Sequence, residues 1–147
     1  MKKKFLIVIT TMLIMTILPI AAYGTSEDQL CQGTGGAIVP QFVGMTEYIT
    51  GFNIVSGLAS CTTIVYASES KVDTVNFKMN LQRCVNGSWI TIKSWSKSEP
   101  IQYSSALISE NYSVTQGYKY RFTVTIKTYK NGVLLDNVLA TSTEKTY

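Results

Sequence analysis

The sequence contains no histidine. That removes the commonest general base and the commonest metal ligand, and with them the Ser-His-Asp and Cys-His nucleophile systems. Cysteine is scarce as well. Cys31, Cys61 and Cys84 stand far apart with no CxxC pair, so no zinc site is spelled out. Acidic residues are few. Glu69, Asp73, Glu99, Glu110, Asp136 and Glu144 fall in turns or at polar strand positions, and no spacing pairs two of them as glycoside hydrolysis requires. Glu69 and Asp73 share a turn, the nearest approach to a cation site. These absences argue for a protein that is not an enzyme and carries no cofactor or metal.

Long apolar runs are confined to one place. MKKKFLIVITTMLIMTILPIAAYG puts three lysines before an apolar run from Phe5 to Leu18, followed by Pro19 and small residues. The run is short for a membrane span of roughly 20 residues, and the layout is that of a secretory signal peptide over 1–24, cleaved after Gly24. A retained membrane anchor is the alternative. Removing Lys2, Lys3 and Lys4 leaves basic and acidic residues nearly balanced, so the basic pI of about 8.9 belongs largely to the leader. A general affinity for nucleic acid is therefore not expected, nor membrane association after cleavage. The remaining chain is long enough for one domain with a core of its own.

Helical periodicity is also missing. Residues 25–45 are polar and Gly-rich and read as a flexible N-terminal arm, in which Ala37-Ile38-Val39 offers a short edge strand. From Thr46 onward every apolar segment alternates with period two. Candidate strands are 46–55, 58–67, 73–84, 88–96, 104–114, 118–130 and 133–143. Turn signals part them at Ser56-Gly57, Glu69-Ser70-Lys71, Asn86-Gly87, Glu99-Pro100, Gln116-Gly117 and Asn131-Gly132. Seven such strands predict an all-β, immunoglobulin-like antiparallel sandwich over 46–147. Both Asn-Gly pairs suit a two-residue type I′ turn, so 73–84 is expected to pair with 88–96, and 118–130 with 133–143.

Those four strands are expected in one sheet. Parity assigns Val75, Phe77, Met79 and Leu81, and Tyr120, Phe122, Val124 and Ile126, to its buried face. The outer face would carry Lys78, Lys93, Lys97, Lys119, Arg121 and Lys127 with Asn76, Asn80 and Gln82. If Ile90 and Ile92 face the core, Trp89 and Trp95 join that outer face, about 20 Å apart on a regular strand. Trp89, Trp95, Lys93, Lys119, Arg121 and Lys127 are then candidate ligand-binding residues for an anionic or polysaccharide wall polymer. Two other readings stay open. A bulge would send one tryptophan to the core or a neighbouring strand, and the W-x-x-I-x-x-W spacing, which switches face, points that way. The lysines also suit a solvated face that discourages edge pairing. A protein partner, or self-association, is the rival function.

Cys61 shares parity with Ala59, Thr63, Val65 and Ala67 and reads as a buried, inert thiol. Cys84 should point outward near the hairpin, where Cys31 on the arm can reach it. The expected pairing is Cys31–Cys84 with Cys61 free, while a Cys61–Cys84 disulfide and no disulfide at all stay open. Tyr120, or Tyr118, following Gly117 suits a tyrosine corner, whose hydroxyl bonds nearby backbone.

LQRCVNGSWITIKSW, followed by GYKYRFTVTIKTYKNGVLLDNVLATSTEKTY, resembles a group of small secreted proteins of Gram-positive bacteria. There a pattern like LQK-x-G-W-x-x-V-x-x-W precedes a G-x-YR-V strand and a T-x-TY end, and Ala59-Ser60-Cys61 matches a further stretch. Cys84 stands where that pattern has a basic or polar residue. The resemblance covers roughly 46–147. It implies an immunoglobulin-like fold and an extracellular or wall-associated location, and carries over no catalytic residue.

Overall fold

A computed structural model describes residues 41–147. The strands are β1 (Met45–Val55), β2 (Leu58–Ala67), β3 (Thr74–Val85), β4 (Ser88–Pro100), β5 (Ser105–Ser113), β6 (Lys119–Lys130), β7 (Val133–Thr141) and β8 (Lys145–Thr146). They form two antiparallel sheets, β1-β2-β5 and β4-β3-β6-β7, with β8 lying beside β6. The fold is an all-β, immunoglobulin-like sandwich, and the four strands expected to share a sheet do so. The signal peptide expected over 1–24, the arm up to residue 40 and Cys31 lie outside the described residues.

Period-two alternation builds the core as read. Phe77, Met79 and Leu81 of β3 and Tyr120, Phe122, Val124 and Ile126 of β6 are buried from one sheet. Phe52, Cys61, Val65 and Ile108 meet them from the other, with Phe52 and Phe122 edge to face at 5.7 Å between centroids. Each such side chain contributes about 1.5–3 kcal/mol relative to leaving it in water.

Tight turns fix the registers. Ser56-Gly57, Asn86-Gly87 and Asn131-Gly132 all have positive φ at both residues, as a type I′ hairpin needs. The turn expected at Glu99-Pro100 is not one. β4 runs on to Pro100 because Thr74 pairs with it, and the Ile101 N–H donates to the Asp73 carbonyl at 3.0 Å. The chain reverses instead at Tyr103-Ser104.

The sandwich also starts earlier than the 45/46 boundary expected from composition. The N–H groups of Val43, Gly44 and Met45 all donate to the Asp136 carboxylate of β7, at 2.7, 2.9 and 3.0 Å. Thr128 Oγ1 adds a fourth donor at 2.6 Å. Glycine suits the position between Val43 and Met45, because a Cβ on Gly44 would lie 2.8 Å from Leu135 and 2.9 Å from Val72 and would force both side chains to move. β1 is thereby stitched to the opposite sheet.

Tyr120 is the tyrosine corner. Its fully buried ring sends the hydroxyl to Thr115, donating to the carbonyl at 2.6 Å and accepting from the N–H at 3.1 Å. Tyr118 instead lies edge-on to Tyr120, with the Arg83 guanidinium 4.4 Å from its ring centroid. Tyr120→Phe keeps the ring and strands the Thr115 backbone, so urea melts should show a loss of about 1–2 kcal/mol without a change in m-value.

Candidate functional site

One irregularity decides where the tryptophans go. β3 and β4 pair in register from Thr74↔Pro100 to Leu81↔Lys93, then resume at Gln82↔Thr91, leaving Ile92 as an extra residue. A one-residue bulge exchanges the faces of everything beyond it. On the Pro100 side of the bulge Trp95 lies opposite buried Met79, and Lys93 opposite buried Leu81. On the hairpin side Trp89 lies opposite Cys84, on the outer parity.

Trp95 and Lys93 are therefore not on the outer face, which corrects their assignment to a ligand platform. Trp95 meets Tyr112 of β5 edge to face at 6.4 Å. The Lys93 ammonium lies 6.0 Å from the Trp95 ring centroid and 5.9 Å from that of Tyr112. Together they cover the side of the sandwich where β4 faces β5. Lys97 also leaves the outer face: it lies opposite buried Phe77, forms an ion pair with Glu99 at 2.9 Å and reaches the Leu107 carbonyl. Ile92, the bulged residue, packs against the core as expected, while Ile90 lies opposite Arg83 on the inner parity, as expected, but near the sheet end, where it is half-exposed.

What stays on the outer face is a track along β6. Lys119, Arg121, Thr123, Thr125, Lys127 and Tyr129 alternate with the buried set, and β3 adds Asn76, Lys78, Asn80 and Gln82. From Lys119 to Lys127 the track is about 27 Å long at 3.4 Å per residue. Lys78 lies opposite Thr125, so Lys127 is its diagonal neighbour, about 7–8 Å away. Lys78, Lys119, Arg121 and Lys127 share this face, and none of β3, β4, β6 and β7 places a carboxylate there.

Arg121 is held in place. Its guanidinium lies 4.2 Å from the Trp89 ring centroid, and its Nε donates to Gln82 Oε1 at 2.9 Å. Burial lowers its pKa while the Glu144 charge raises it, and a guanidinium remains a cation at any neutral pH. The Trp89 Nε1 has no acceptor among the described residues. At the other end Asn76, Lys78, Ser96, Ser98, Thr125, Lys127 and Tyr129 line an open groove of about 680 Å³. Ser98 Oγ donates to Asn76 Oδ1 at 2.7 Å and Ser94 Oγ to Asn80 Oδ1 at 2.8 Å, so hydroxyls and amides form a cross-strand ladder between the cations. Lys119 lines a second groove of about 430 Å³ with Cys84 and the 85–87 hairpin. Of the six candidates, the structure brings Trp89 and Arg121 together, spaces Lys119 and Lys127 along the same track, and removes Lys93 and Trp95. Tyr129 and the serines of β4 are site residues the sequence reading did not name. Parity with Lys127 could have found Tyr129, whereas Ser96 and Ser98 depended on locating the bulge.

Cys61 is a free thiol, buried against the core, which overturns the Cys61–Cys84 pairing. Burial first, and then the charge of Glu110, pushes its pKa up to about 12. Thiolate is then scarce at neutral pH, and native Cys61 should resist iodoacetamide over hours yet react at once in urea, as read by intact mass. Asp73 is no cation ligand either. Its oxygens take the Lys130 ammonium at 2.6 Å and the Asn131 N–H at 2.7 Å. No cluster of three metal-ligating side chains occurs among the described residues.

No family model matches the chain, and no curated protein is similar to it. Solved structures similar to it include a glycosyl hydrolase family 2 member from Bacteroides cellulosilyticus, 8% identical, with TM-score 0.40 over 67% of this chain. The match spans 13% of the hydrolase's length. A protein from Archaeoglobus fulgidus is 10% identical, with TM-score 0.37 over 70% of this chain and 97% of its own. Neither likeness carries an argument about activity.

Proposed function

We propose that the protein is a secreted, non-enzymatic module that binds an anionic, hydroxyl-rich polymer of the cell wall or extracellular space along the outer face of β3, β4 and β6. The observation that carries this is the sign of that face. Lys78, Lys119, Arg121 and Lys127 stand on it, interleaved with serine, threonine and asparagine, against the single nearby acidic charge of Glu144, which acts on Arg121. Cations spread over about 27 Å suit an extended polyanion better than a small ion, since each contact is weak and solvent-exposed and the sum is not. Nucleic acid fits less well. Base stacking needs a free aromatic face, and Arg121 occupies that of Trp89.

Cosedimentation with purified Gram-positive walls, intact and stripped of their phosphodiester polymer, tests this. Binding to intact walls that falls steeply between about 0.05 and 0.5 M salt, and is lost on stripped walls, is expected. Retention indifferent to both salt and stripping contradicts it. We further propose that Cys31 pairs with Cys84, tethering the arm beside Lys119. Support comes from Cys61 being the buried free thiol. A gain of two hydrogens on reduction of the intact mature chain is expected.

A second reading has one observation in its favour. On the outer side of the β1-β2-β5 sheet, Ile49, Ile64 and Leu107 lie directly across from one another, with Ile49 and Leu107 half-exposed. An apolar row of this kind suits a protein partner, including a second copy. Sedimentation velocity over a wide concentration range distinguishes it: a concentration-dependent dimer supports self-association, and a monomer throughout leaves the polymer reading alone.

A further inference from the structure

The β2–β3, β4–β5 and β6–β7 connections meet at the end of the sandwich remote from the 85–87 hairpin. The β4–β5 connection breaks the rule that the chain's other two-residue turns follow. Three hairpins in this chain put glycine second in the turn, at Gly57, Gly87 and Gly132, preceded by serine or asparagine. The β4–β5 turn has the same geometry, with Gln102 and Ser105 exchanging backbone hydrogen bonds at 2.9 and 3.0 Å, but its central residues are Tyr103 and Ser104. Their φ values are 51° and 61°. Left-handed backbone is unfavourable for both residues, and most of all for a bulky aromatic. The ring so placed is 97% exposed. A strained position is kept where something else requires it.

The surroundings of Tyr103 are rigid and polar. The Ser104 carbonyl accepts from the Ala67 N–H at 3.1 Å. The adjoining 68–73 turn is closed by the Lys71 and Val72 N–H groups on the Ser68 carbonyl, and fastened to β6 by Lys130, which bonds the Glu69 carbonyl and the Asp73 carboxylate. Beside the ring opens a groove of about 280 Å³ lined by Glu69, Ile101, Gln102 and Tyr103. It brings together at one open depression an aromatic residue, an acidic residue and an amide residue, Tyr103, Glu69 and Gln102. Sugars present complementary groups: C–H groups for the ring and hydroxyl donors and acceptors for the carboxylate and amide. A protein hot spot, by contrast, sits within a rim that excludes water, and here the neighbours are Ser68, Ser70 and Ser104.

We propose that this end is a second binding site, for a neutral sugar unit, with Tyr103 as the stacking platform and Glu69 and Gln102 as hydrogen-bonding partners. It is separate from the basic track and stands or falls independently of it. The test exploits the strain. Tyr103→Asn with Ser104→Gly gives this turn the residues of the chain's other hairpins. The wild type, this double variant and Glu69→Gln are titrated with neutral oligosaccharides of glucose, mannose and N-acetylglucosamine, with the backbone amide signals of Glu69, Gln102 and Ser105 followed by NMR in all three and the Tyr103 ring signals in the proteins that keep it. At least one of these series is expected to shift the Tyr103 signals of the wild type. The double variant should bind it at least tenfold more weakly while its Tm rises by about 5 °C. Glu69→Gln should weaken binding several-fold at unchanged Tm. Arg121→Glu with Lys127→Glu should leave sugar binding intact, which separates this site from the track. No response to any of the oligosaccharides, retained affinity in the double variant, or a fall in its Tm overturns the proposal.

Discussion

Asp136→Ala is expected to cost about 3 kcal/mol and to lower Tm by roughly 15 °C, the largest effect of any single polar substitution described here. The carboxylate is buried and accepts from three consecutive backbone N–H groups and one hydroxyl. Its removal leaves four donors without a partner where water has little access, and releases the entry to β1 from β7. Asp136→Asn retains one acceptor oxygen and should cost less. Thermal melts of the three proteins check the order.

The same residue sets the response to acid. Burial alone would raise its pKa, but the Thr128 hydroxyl and the Val43, Met45 and Gly44 N–H groups outweigh that and hold it below the ordinary carboxylate value. Asp73 is also held low, chiefly by the Asn131 N–H and then by Lys130. A carboxylate whose folded pKa lies below its unfolded one stabilises fully above the unfolded value, near 3.9, and loses that contribution as pH falls through the folded value. With no histidine in the chain, no side chain of ordinary pKa titrates between pH 5 and 8. Tm should therefore be flat over that range and fall below about pH 4, less steeply in Asp136→Asn. A marked change in Tm between pH 5 and 8 contradicts this.

The two tryptophans are expected to separate cleanly. Trp95→Ala should cost about 2–3 kcal/mol, because the ring is half-buried between Tyr112 and Lys93 where the sheets meet, and should leave polymer binding unchanged. Trp89→Ala should cost less than about 1 kcal/mol and weaken binding several-fold, by freeing Arg121 from the ring that orients it. Urea melts and wall cosedimentation on both variants provide the check. Equal effects of the two on binding would mean that the bulge does not divide the faces.

The fold was legible because alternation and Asn-Gly turns are local signals. Val75 to Leu81 and Tyr120 to Ile126 announce their buried face in any register, and both hairpins close where Asn86-Gly87 and Asn131-Gly132 place them. The site was legible on β6, which is regular where it pairs with β3, and illegible on β4. A bulge inserts one residue without any distinctive residue type, so Lys93 and Trp95 change face with no mark in the sequence beyond the three-residue spacing around Ile92. The Asp136 clamp was hidden for a different reason. It joins residues more than 90 apart, and its acceptor faces backbone, which has no sequence identity. The Tyr103-Ser104 turn was missed because Pro100 is the stronger turn signal, yet it ends an edge strand, where its missing N–H costs little.

The central claim is that the predominantly basic track along β6 and β3 holds an anionic polymer, and the most direct measurement is retention of Arg121→Glu with Lys127→Glu on purified cell walls at about 0.1 M salt, alongside the wild type. Both side chains project from the outer face, so the variant should fold with Tm within a few degrees of the wild type. At least a tenfold weaker retention is expected. A folded double variant retained as well as the wild type would contradict the claim.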